Sequence, residues 1–76
     1  MELLNVKIWW ETEKGLEVKI RLLIEHEFYG NRYVTALVTF KKDDNNFIIQ
    51  NNTDWINRYE INPDVLQQNI LKKLGR

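Results

Sequence analysis

The chain contains no cysteine and no serine. The first absence excludes disulfide staples and thiolate metal sites, and it suits a reducing compartment, so a cytoplasmic location is expected. Together the two absences remove the commonest side-chain nucleophiles. Proline occurs once and the three glycines are isolated, so no glycine-rich phosphate loop is present. Charge of one sign is also lacking: eleven basic residues balance eleven acidic ones. A nucleic-acid or membrane partner would therefore have to be argued from how the charge is distributed. No apolar run is long enough for a membrane span, and the start, MELLNVKIWWETEK, lacks the pattern of a secretory signal.

What remains is globular in composition, with 43% hydrophobic residues, 29% charged residues, and three each of Trp, Tyr and Phe. Residues 1–76 read as a single small domain. A chain of this size buries roughly 60–65% of the surface that its unfolded form exposes.

Period-two alternation dominates the first half of the chain. Leu4, Val6, Ile8 and Trp10 fall on one face of a first strand; Leu3, Asn5, Lys7 and Trp9 fall on the other. Leu16, Val18, Ile20, Leu22, Ile24, His26 and Phe28 share the inner face of a second strand, opposite Glu17, Lys19, Arg21, Leu23, Glu25 and Glu27. Between the strands, Glu13, Lys14 and Gly15 suit a three-residue loop with glycine in the left-handed position. That loop pairs Thr12 with Leu16, Trp10 with Val18, Ile8 with Ile20 and Val6 with Leu22. It also sets Trp9 opposite Lys19 and Lys7 opposite Arg21.

YGNR at 29–32 reads as the next turn, and residues 33–42 as a third strand. Its inner residues are Val34, Ala36, Val38 and Phe40; Tyr33, Thr35, Leu37, Thr39 and Lys41 face outward. DDNN at 43–46 turns into a short fourth strand, with Phe47 and Ile49 inward and Ile48 outward. The segment 51–61 fits either a short helical turn capped by Thr53 or irregular chain, and it brings Trp55 and Tyr59 as candidate lining of a groove. The last helix is well signalled: Asn62 as N-cap, Pro63 in the first position, Asp64 at the positive end, a Leu66, Ile70, Leu74 stripe, and Gly75 as terminator. The expected fold is α+β: a four-stranded antiparallel meander, ββββα, with one C-terminal helix packed on one sheet face.

One such helix is about 18 Å long and about 10 Å wide, and four strands span about 19 Å. It covers half of the inner face. Trp55, Ile56, Tyr59 and Ile61 are the natural cover for the rest, and a homodimer is the alternative way to complete it.

Few residues carry chemistry. His26 is the single histidine, and its neighbours Glu25 and Glu27 point to the opposite face, so EHE is neither a metal triad nor a catalytic dyad. Glu25 and Glu27 lie about 7 Å apart on an open face, a separation close to that of a glycosidase pair but without a pocket. An enzyme is not expected, and neither a cofactor nor a metal is implied.

The outer sheet face is the candidate site. Trp9, Leu23, Tyr33 and Leu37 form an aromatic and aliphatic patch of the kind that dominates protein–protein binding. The leading expectation is a protein-interaction module with a protein partner, acting as a small regulator, inhibitor or assembly subunit. By analogy of size and architecture alone, it resembles the compact phage and mobile-element proteins that block a larger host machine. The alternative is single-stranded nucleic acid, with Lys7, Lys19, Arg21 and Lys41 on phosphates and Trp9 and Tyr33 stacked on bases. The plainer reading is a solvated face on which Trp9 lies over the Lys19 stem.

Overall fold

Five consecutive inward residues of one strand explain most of the architecture. Leu16, Val18, Ile20, Leu22 and Ile24 are all buried, and they place the strand that carries them at the centre of the sheet. The computed structural model describes residues 1–28, 30–44, 46–50 and 54–76. Its elements are β1 (Glu2–Glu11), β2 (Gly15–His26), β3 (Gly30–Asp43), β4 (Asn46–Ile49), α1 (Asp54–Arg58) and α2 (Pro63–Lys73). The strands form one antiparallel sheet in the order β1-β2-β3-β4. Leu66 and Ile70 of α2 and Ile56 of α1 are buried against its inner face together with Val38, Phe40 and Ile61. Trp55 and Tyr59 pack beside them, as the covering role predicts. The fold is the expected α+β meander with its C-terminal helix, and the short α1 is added to it. A cap by Thr53 lies outside the described residues.

The caps of α2 follow the sequence closely. Asn62 Oδ1 accepts the Asp64 and Val65 N–H groups at 2.9 and 3.4 Å, which satisfies two of the free donors of the first turn. At the other end Gly75 adopts φ +79°. Its N–H donates to Lys72 O and the Arg76 N–H donates to Leu71 O, the double closure that a left-handed glycine permits.

The first strand departs from simple alternation. Its register is Leu3↔Leu22, Asn5↔Arg21, Val6↔Ile20, Lys7↔Lys19, Ile8↔Val18, Trp10↔Glu17 and Glu11↔Leu16, with irregularities at Leu4 and Trp9. Each is a β-bulge, and each reverses which parity faces inward. Four expectations are thereby corrected. Leu3, not Leu4, packs on the core. Val6 and Ile8 point inward but lie two residues from their predicted partners on β2. Lys7 lies opposite Lys19 instead of Arg21. Trp10, expected inward, stands on the outer face, and Glu11 takes the inner position.

The turn differs as well. Thr12 N–H donates to Gly15 O at 2.8 Å, so the loop is Glu13-Lys14, and none of its residues has positive φ. Gly15 is needed for another reason: a Cβ built on it would lie 2.3 Å from Phe40 O on β3. Phe28, expected on the inner face, is instead 86% exposed, because the strand ends at His26.

Glu11 is held by charges distant in sequence. Arg76 binds both of its carboxylate oxygens, at 2.6 and 2.7 Å, and Lys42 Nζ lies 2.8 Å from Oε2. Hydrogen bonds from Arg76 and then from Lys42 hold its carboxyl at about 2, below its ordinary 4.5. The lowered value means that the folded state favours the ionised form. The contribution is complete above pH 4.5 and is lost as pH falls towards about 2. The side chain is partly open to solvent, so salt weakens the effect. In an acid series of urea-unfolding midpoints, the wild type should lose stability through this window more steeply than Glu11→Gln. Parallel curves would remove the cluster from the stability of the fold.

Candidate interaction surface

The ladder arranges the outer face in rows about 7 Å apart. Across β1, β2 and β3 they run Trp10–Glu17–Thr39, then Lys7–Lys19–Leu37, then Asn5–Arg21–Thr35, then Glu2–Leu23–Tyr33. The bulged Trp9 stands between the first two rows. Its ring lies 5.7 Å from Lys19 Nζ, which places it on this face. The bulge thus puts both tryptophans on the same side of the sheet, where alternation would separate them. Trp9 is 57% exposed and Trp10 43%.

All four residues expected to bind a partner are on this face. Trp9 and Leu37 flank Lys19. Leu23 and Tyr33 are cross-strand partners one row beyond Arg21. The Arg21 guanidinium stacks over the Tyr33 ring at 5.3 Å and lies 3.5 Å from Thr35 Oγ1. The apolar surface is therefore two clusters with a cationic row between them. Trp10 joins the first cluster, and alternation alone assigns it to the core.

The expected cations do not all converge. Lys7, Lys19 and Arg21 line a shallow depression of about 260 Å³ with Asn5 and Thr35. Lys41 lies further along β3, opposite Ile48. A like-charge pair directly across a ladder, as Lys7 and Lys19 are, is unfavourable in the isolated chain. The nearest acid in the rows, Glu17, accepts a hydrogen bond from Thr39 Oγ1 at 3.2 Å.

A second concavity, of about 510 Å³, lies at the opposite end of the inner face. His26, Phe28, Tyr59, Ile61 and Val65 line it, with Glu25, Glu27 and Glu60 around them. His26 Nδ1 accepts the Phe28 N–H at 3.1 Å and Nε2 lies 3.9 Å from Glu60. The residue is half-buried, with its side chain 9% exposed, as a boundary residue of the core should be. Tyr59 lines this groove as expected; Trp55 is not among the residues that do. Among the described residues, no three His, Asp or Glu side chains converge as metal ligands, and no helix is long and apolar enough to cross a membrane.

Family models, curated proteins and solved structures offer no match to this chain.

Proposed function

We propose that the chain is a non-enzymatic protein-interaction module, a small regulator, inhibitor or assembly subunit, which holds its partner on the outer sheet face. The observation that carries this reading is the pair of exposed tryptophans brought to one side by the Trp9 bulge. Large rigid aromatics beside an aliphatic residue supply most of the energy in interfaces of this kind. The uncompensated Lys7–Lys19 pair favours a partner that presents carboxylates between apolar groups.

The test is capture by the immobilised protein. Trp9→Asp and Leu23→Asp should each cut partner recovery at least about tenfold, as loss of an interface anchor does, while circular dichroism stays that of the wild type. Recovery unchanged by both substitutions would exclude this face.

One observation favours a second reading. Lys7, Lys19 and Arg21 are contiguous, with the Trp9 and Tyr33 rings at either side. That is the arrangement of a single-strand nucleic-acid platform. In it, anisotropy of a labelled oligonucleotide should show affinity that falls steeply with salt, and Arg21→Glu should flatten the slope.

A further inference from the structure

The third strand is longer than its neighbour. β4 pairs only with Phe40–Asp43, and the Gln50 N–H donates to Thr39 O as the last rung. From there back to Asn31 no described strand lies on that side of β3. In an antiparallel ladder the N–H and C=O of one residue point the same way, and successive residues alternate. The Thr39 carbonyl points towards β4, so Tyr33, Thr35 and Leu37 direct their backbone groups to the open side.

Natural sheet edges are guarded by charge, proline, bulges or shortness. The other edge, β1, has two bulges and Lys7. The run YVTALV at 33–38 has none of these guards. It is uncharged and rich in strand-forming residues, a run that would aggregate if left bare.

We infer that this edge pairs with the same edge of a second copy of the chain, antiparallel about a two-fold axis at Thr35. The run from Tyr33 to Leu37, beside which no described strand lies, has Thr35 at its midpoint, so two copies use all of it and stop where each β4 ends. The facing residues are complementary. Tyr33 meets Leu37 on the outer face, Thr35 meets Thr35 on the axis, and Val34 meets Ala36 on the inner face. Aromatic–aliphatic and Thr–Thr pairs of this kind favour strand association. No like charges meet within the run. Such isologous contacts are self-complementary by symmetry. The two outer faces then belong to one continuous sheet, with the tryptophans at its far ends.

The inference goes beyond the outer-face reading and fails separately from it. Because the chain has no cysteine, a thiol introduced at one position is its only one. A hydrogen-bonded antiparallel pair has Cα atoms about 5.5 Å apart, within disulfide reach. Under mild oxidation Thr35→Cys should form a covalent dimer. Leu37→Cys, which faces Tyr33 and is too far from its own copy, should not. Light scattering on the wild type should give twice the 9.2 kDa chain mass, and Thr35→Lys, which sets two charges on the axis, should return it to a single chain. A single-chain mass for the wild type at high concentration would overturn the inference, as would a dimer that cross-links no better through Thr35→Cys than through Leu37→Cys. A monomer that still lost its partner on Trp9→Asp would overturn the dimer and leave the proposed function standing.

Discussion

Phe40→Ala is expected to cost about 3–5 kcal/mol of folding stability. A folded chain of 76 residues holds about 4–11 kcal/mol in all, so the variant should lie close to its unfolding midpoint at room temperature. Phe40 is among the largest fully buried side chains of the core. It stands between Leu16 of β2 and Ile49 of β4, and so joins the central strand to the short edge strand. Four rungs hold β4 to the sheet, so collapse around a lost ring has little to draw on. Urea unfolding followed by tryptophan fluorescence measures the change. A loss below about 1 kcal/mol, the range of conservative core swaps, would show that the surroundings refill the space.

Gly15→Ala should cost about 1–3 kcal/mol, the usual range for forced overpacking. By intrinsic preference alone, alanine in a strand should gain about 0.5–1 kcal/mol over glycine. The contact reverses that sign. A methyl at 2.3 Å from Phe40 O meets backbone, which cannot rotate aside, so the β1–β2 turn must lift away from β3. That movement also strains the hydrogen bond from Lys42 N–H to Lys14 O. Gly15 does not adopt positive φ, so close approach and not backbone conformation sets the cost. Near-wild-type stability for Gly15→Ala would show that the turn and β3 separate freely enough to take the added methyl.

What could be read from the residues depended on how local the signal was. Asn62, Pro63 and Gly75 each act within one helical turn, and α2 begins and ends where they place it. β2 and β3 obey one uninterrupted parity, so the outward positions of Leu23, Tyr33 and Leu37 follow from counting. The first strand was different. Leu4, Val6, Ile8 and Trp10 alternate as well as any strand, and nothing in their composition marks a bulge. The contacts that accompany the real register come from far along the chain. Arg76 and Lys42 hold Glu11 on the inner side, and Lys73 Nζ reaches Leu3 O at 3.2 Å beside the Leu4 bulge. Local pattern cannot weigh ion pairs that span most of the sequence, and for that reason Trp10 was legible only as a core residue. Phe28 misled similarly: its parity matched the core, but the strand carrying that parity had already ended at His26.

The two bulges also make β1 a strand written in three reading frames. Leu3 is in phase with the core, Val6 and Ile8 are in phase only after one skipped letter, and Glu11 only after another. An insertion or deletion inside a strand normally turns every residue beyond it inside out. Here two such shifts are already present and cancel over the strand's length. Removing Trp9 would leave Ile8↔Val18 and Trp10↔Glu17 as consecutive rungs of an ordinary ladder, and removing Leu4 would do the same for Leu3↔Leu22 and Asn5↔Arg21. Positions 4 and 9 are therefore where this strand can change length without changing what faces the core.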